Sequence, residues 1–288
     1  MAEPFRIRVP IWKVTKESYL SVFAHPITFA KLAWLPGLVI WAVLAPLFVL
    51  FFQSADAMAP SLREQPQQFL ESMRWFEVPS VLAGAAALLA LNVFAVRWHR
   101  YRLRGEVVIG LSNMFGKAWQ RFTLYALLIW SPAIATELLK IVALFAPGTI
   151  SAISDPVADI LGAVLWLAWV ALAVYVFGAS LVFPAAAYEQ PMSWRQAWRL
   201  LQGNFWRLAG CCALTGLFWL LTSLFIFVFL DIGLSLVVPL SPVGTVSTLQ
   251  QVATLTLLEL ILAALYASIL CEFYHRIVLE AEVVQSLG

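Results

Sequence analysis

Six long apolar runs leave this chain one solvent in which to fold. They are read at about 32–53, 78–97, 122–146, 157–187, 206–231 and 250–275. A hydrocarbon core about 30 Å thick takes roughly 20 helical residues to cross. A helix is also a form in which the backbone satisfies its own hydrogen bonds in lipid. The chain is 62% hydrophobic and only 12% charged, too apolar for an ordinary soluble domain. Little sequence remains between the runs, so residues 1–288 read as a single integral membrane domain, all-α and polytopic, with six transmembrane helices.

The basic residues then orient the spans. Fifteen of the eighteen Lys and Arg fall in alternate connections, and only Arg63, Arg74 and Lys140 fall on the other side. Cytoplasmic loops retain Lys and Arg, so the expected location is a bacterial inner membrane, multi-pass, with N- and C-termini cytoplasmic. A net charge of +2 matters less than this sidedness, which directs the basic face toward anionic lipid headgroups. Nucleic acid is not an expected partner, because the basic residues edge apolar spans and form no contiguous groove. Cys211, Cys212 and Cys271 lie in or beside predicted spans, where no structural disulfide is expected. Ala55-Asp56-Ala57 imitates a leader cleavage site, but the run before it is longer than the 7–15 residues of a signal core and reads as a span.

A repeat underlies the spans. Phe115, Trp119 and Phe122 match Trp194, Trp198 and Leu201, and Thr15, Tyr19 and Val22 keep the same spacing near the N-terminus. An i, i+4, i+7 apolar stripe opposite Lys and Arg predicts an amphipathic helix lying in the membrane interface. Ser193 and Gln196 have capping-box spacing before the third copy. A second motif, H-R-x-x-L-x-x-E, occurs at His99–Glu106 and His275–Glu282; the middle copy keeps the acid at Glu189. Three parallel two-span units are expected, at about 10–106, 107–189 and 190–282. Two spans per unit return the chain to the same side each time, unlike an inverted repeat.

The stretch Leu181-Val182-Phe183-Pro184, with Ser193-Trp194-Arg195-Gln196-Ala197-Trp198-Arg199-Leu200 and Gly203-Asn204-Phe205-Trp206-Arg207-Leu208, resembles a motif of a broad group of bacterial six-span inner-membrane proteins. That group includes the membrane domain attached to some glycerophosphodiester phosphodiesterases. The resemblance implies a six-helix fold with interfacial helices. It does not imply phosphodiesterase activity, since the catalytic barrel of such enzymes is a separate domain.

Two sets of residues are candidate sites. His99, Arg100, Glu106, Arg195, Arg199, His275, Arg276 and Glu282 form a candidate cytoplasmic interface, where long basic side chains snorkel to phosphate level. Imidazole and carboxylate also suit a divalent metal. The His and Glu of each copy, however, stand about two helical turns apart, so no metal and no cofactor is expected. Glu137, Lys140 and Glu259 form a candidate intramembrane polar cluster. Each charge costs about 2.5–3.5 kcal/mol near a span centre, so such residues seek partners or water. Pro132 and Pro184 are expected to kink their helices, Gly84 and its neighbouring alanines to allow close packing, and most Trp residues, Trp98 included, to join an interfacial belt.

The chain contains no P-loop, nucleophile elbow or zinc-protease helix. A non-enzymatic scaffold or accessory protein is therefore expected, binding lipids or a larger membrane-protein complex. The alternative is a small transporter with a polar path through Glu137, Lys140 and Glu259.

Overall fold

The computed structural model describes residues 8–64, 77–109, 116–128, 131, 167, 170–172, 174–190, 192–237 and 245–280. Every element among them is helical: α1 (Ile11–Phe23), α2 (Pro26–Glu64), α3 (Glu77–Arg104), α4 (Val182–Ala187), α5 (Trp194–Leu201), α6 (Phe205–Val237) and α7 (Thr245–Tyr274). Helix α7 runs on into a π-helical turn, His275–Leu279. Helical segments over 117–128 and 174–178 lie between α3 and α4.

Four helices are long and apolar enough to cross a membrane, over Pro26–Phe51, Val78–Arg104, Phe205–Ile226 and Thr248–Leu279. The shortest, at 22 residues, reaches about 33 Å at 1.5 Å per residue. They correspond to the first, second, fifth and sixth expected spans, the fifth with shorter bounds and the others with longer ones. The third, 122–146, lies largely outside the described residues, as do 157–166, 168, 169 and 173 of the fourth, 157–187. The surface agrees with a membrane protein: Leu220, Leu224 and Phe225 on α6 are 64%, 61% and 62% exposed.

Local chemistry explains the helix ends. The Ala24 N–H closes α1 on the Leu20 carbonyl, and Pro26 opens α2 at the first helical position, where a missing N–H costs nothing. Helix α3 stops because Gly105 adopts φ 71° while its N–H bonds the Tyr101 carbonyl at 2.9 Å, a left-handed cap. Pro184 does break its helix: the chain turns at 179–181, and the Ser180 carbonyl, which Pro184 cannot serve, accepts from Phe183 at 3.1 Å.

Helix α1 inverts the usual amphipathic sense. It buries Val14, Thr15, Ser18, Ser21 and Val22 while Trp12, Leu20 and Phe23 stay more than half exposed. Small hydroxyl residues allow close approach to α6 and α7, and the apolar side suits lipid. Tyr19 donates to the Thr215 carbonyl at 3.1 Å. The strand-like lead into α1 is held as well: Asn204 Oδ1 accepts the Val9 N–H at 3.2 Å, and Arg207 donates to the Val9 carbonyl at 2.9 Å.

The core joins α3 to α7. Trp98 is fully buried and donates its indole N–H to Ser268 Oγ at 2.8 Å. Ser268 in turn donates to the Ala264 carbonyl at 2.8 Å and lies 3.0 Å from Ser21 Oγ. Trp98 is therefore a core residue and not part of a belt; Trp12, Trp34 and Trp206 are the Trp residues that are more than half exposed among those described. The small-residue contact of α3 also differs from expectation. Ala83, Ala87 and Ala90 are buried, while Gly84 faces open space.

Helix α5 forms as its capping signal predicts, with Ser193 Oγ accepting the Gln196 N–H at 3.2 Å. Its aromatic face packs in part on the protein. Trp194 and Trp198 stack on Tyr175, with ring centroids at 6.1 and 5.7 Å, and Leu201 is buried in the core. A Cβ on Gly178 would stand 1.6 Å from Trp198 Cζ3, so the ring occupies the place of a side chain. Gly178→Ala should lower the melting temperature of the detergent-purified protein, at a cost of about 1–3 kcal/mol for overpacking. Combining it with Trp198→Ala should recover part of that loss. Equal stability of wild type and Gly178→Ala would contradict this docking.

Candidate functional site

The ends of α3 and α7, the α4 turn and the middle of α1 bring charged residues together at one end of the bundle. Arg100 Nε meets Glu106 at 2.9 Å and its Nη2 meets Glu189 at 3.2 Å. Arg104 lies 3.7 and 3.9 Å from the same two acids. Its guanidinium sits 4.6 Å from the Tyr188 ring centroid and donates to the Tyr188 carbonyl. Glu106 reaches back only because Gly105 ends the helix; on a continuing helix it would stand two turns away from His99. Glu189 is placed by a Schellman turn, in which Glu189 and Gln190 donate to the Ala186 and Ala185 carbonyls at 3.2 and 3.0 Å. The turn holds Glu189 at φ 65°, a conformation that non-glycine residues adopt at a cost.

The second half of the cluster surrounds a pocket of about 270 Å³ lined by Arg102, Cys271, Glu272, His275, Arg276 and Glu280. Arg276 meets Glu17 of α1 at 3.0 Å and Glu272 at 3.9 Å. These side chains are 31% exposed or less, so screening is weaker than at an open surface. Loss of Arg276 would leave two carboxylates facing one another. His275 and Glu280 stand 3.4 Å apart. That pairing depends on the π turn, in which the Glu280 N–H bonds the His275 carbonyl five residues back; an α-helical turn would point the two side chains apart. Arg102 lines the pocket with no ion pair among the described residues, and its Nε is enclosed without a hydrogen-bond acceptor.

The structure thus gathers much of the expected interface and rearranges it. His99 is 1% exposed; it turns away from the charged residues to place Nδ1 2.9 Å from Cys271 Sγ. It is a core residue, packed on Phe122. Arg100 and Glu106 pair together, as do His275 and Glu280, the acid that pairs with His275 being five residues on. Arg195 and Arg199 are exposed on α5. Glu282 lies outside the described residues, as do Glu137 and Lys140. Glu259 is exposed, about a third of the way along the α7 apolar stretch. Among the described residues no three His, Cys, Asp or Glu side chains are grouped to hold a metal.

Glu17, Arg102, Arg104, Glu189, Glu272 and Glu280 enter the site from outside the expected set. The Glu272–Arg276 spacing of i, i+4 was available in sequence. Glu17 had no such signal, since its partner is 259 residues away.

Glu189 gives a test of the left-handed turn that carries it to Arg100 and Arg104. Glu189→Ala removes the ion pairs and keeps the left-handed strain, whereas Glu189→Gly removes both. The glycine variant should be more stable than the alanine variant by about 1 kcal/mol, read from thermal unfolding in detergent. The reverse order would mean that residue 189 does not hold a left-handed turn.

The chain matches no family model, no curated protein and no solved structure.

Proposed function

We propose that this protein is a non-enzymatic membrane scaffold or accessory protein that binds lipid headgroups, and through them or beside them a larger membrane complex. The observation that carries this reading is the build of one end of the bundle. Arg100, Arg102, Arg104 and Arg276 cluster there at the ends of apolar spans. The adjoining α1 and α5 expose Lys13, Arg195 and Arg199 near the exposed rings of Trp12 and Trp206. Cations above an apolar belt with aromatic anchors suit the headgroup region of a bilayer. By the basic-residue rule this end faces the cytoplasm of a bacterial inner membrane. The third and fourth spans complete a six-span topology like that of the group the α4–α5 motif resembles.

Purification in mild detergent, followed by analysis of the retained lipids and proteins, tests the reading. The wild type should retain anionic phospholipid above its share of the membrane, and Lys13→Gln, Arg195→Gln and Arg199→Gln together should cut that excess at least in half. Retention at the bulk lipid ratio, with no protein partner, would overturn it. Reporter fusions near residues 65, 150 and 243 should read the outer side, and those near 110, 192 and 286 the cytoplasm.

A polar path is the second reading, favoured by the ionisable Glu259 exposed within the α7 apolar stretch, where a charge is costly. It requires Glu259→Gln to abolish a solute- or proton-dependent flux in reconstituted vesicles while folding and abundance stay unchanged.

A further inference from the structure

The pocket between the ends of α3 and α7 carries charge of both signs, and its two incompletely paired groups are opposite in sign. Arg102 has no ion pair among the described residues, and its Nε lacks an acceptor. Glu280 has His275 at 3.4 Å, an imidazole that is charged only when protonated. Arg276 also has a buried Nε without an acceptor, but its charge is met by Glu17 and Glu272. What remains for a ligand is one guanidinium and one carboxylate across a small cavity.

We infer that this pocket binds a phosphoethanolamine group, the phosphate taken by Arg102 and the primary ammonium by Glu280, with Glu272 beside it. The inference rests on the lipid-binding reading above and names the headgroup. A guanidinium fork matches a phosphate through paired N–H donors. A primary ammonium supplies the N–H groups that a carboxylate accepts. A choline head has none, and quaternary ammonium is ordinarily taken by an aromatic cage; among the residues lining this pocket the one ring is the His275 imidazole. A purely anionic head satisfies Arg102 and leaves Glu280 facing like charge.

Size and depth agree. The cavity of about 270 Å³ lies just under the roughly 300–1,000 Å³ of sites that enclose drug-sized ligands, which is room for a headgroup without its acyl chains. Arg102 stands two residues before the end of the Val78–Arg104 span and Glu280 directly follows the Thr248–Leu279 span, which is headgroup level. The π turn is the device that aims Glu280 into the cavity. Such turns recur where a helix has been widened for a functional side chain.

The test uses the full chain in nanodiscs or detergent, with native mass spectrometry counting retained lipid as phosphatidylethanolamine, phosphatidylcholine and phosphatidylglycerol are titrated. Wild type should favour the ethanolamine lipid over the choline lipid about tenfold, the loss expected for one charge-assisted hydrogen bond. Arg102→Gln should weaken both. Glu280→Gln should remove the preference while leaving glycerol-lipid binding equal or stronger. Melting temperatures and gel-filtration profiles of the variants check folding, and Arg102→Lys, which keeps the charge, should retain part of the binding. Free phosphoethanolamine is the competing arm: displacement of lipid by the free compound assigns the site to a soluble ligand, and lipid held against it assigns the bilayer form. Equal retention of choline and ethanolamine lipids, or an unchanged preference in Glu280→Gln, overturns the inference. Binding of glycerol lipid without ethanolamine selectivity would sink the pocket alone, whereas no enrichment of any lipid would sink the lipid-binding reading itself.

Discussion

The charged end of this protein depends on one hydroxyl in the middle of its core. Ser268 accepts the Trp98 indole N–H and touches Ser21 of α1, so α1, α3 and α7 meet at one shared polar point in the interior. An unmet indole N–H there would carry the desolvation penalty of a buried donor, about 1–3 kcal/mol. The bond also sets register. Trp98 pairs with Ser268 and His99 with Cys271, so α3 and α7 advance side by side toward the same end. One further turn along each places Arg102 against Glu272 and Arg276. Slipping either helix by a turn would dissolve the pocket along with the core bond.

The two copies of the His-Arg motif show how one sequence pattern yields two structures. In the first, a glycine ends the helix and the acid folds back onto Arg100. In the third, the equivalent position is Ala281, with no glycine to end the helix, and the chain loosens into a π turn that puts Glu280 beside His275. The middle copy has lost its basic residues, yet its Glu189 crosses to the arginines of the first. Charge is therefore balanced both within each motif and across to other segments of the chain. The acids belong where removing a partner would strand a half-buried arginine, a larger effect than that of an exposed pair.

The apolar runs at 32–53, 78–97, 206–231 and 250–275 were legible because lipid imposes a length and a composition that few other environments do. Ser193 likewise announced its cap, since that bond is local. Helix α1 was harder. Its stripe marked a face but not whether the face meets protein or lipid, because in a bilayer an apolar face is no longer the buried one. Trp98 failed for the same reason: an indole suits a headgroup belt and a core equally, and its partner lies 170 residues away. In the site, Arg100, Glu106, His275 and Arg276 stood out in the sequence because the H-R-x-x-L-x-x-E motif occurs twice. Glu17 and Arg102 were not, because nothing in their own neighbourhoods points to the charged residues of α7 that they meet.

The imbalance around Arg102 is the feature that structure alone could reveal. Counting charges at this end gives ample acid for every arginine, yet geometry assigns Glu106 and Glu189 to Arg100 and Arg104, and Glu17 and Glu272 to Arg276. Glu280 is the acid left over, and the π turn directs it to an imidazole instead of to Arg102. A protein that needed only stability could close this gap by pairing the two across the cavity, or replace both with apolar residues at little cost. Holding opposite charges apart across a small polar space keeps each available, and a ligand that carries both signs gains from both ends at once.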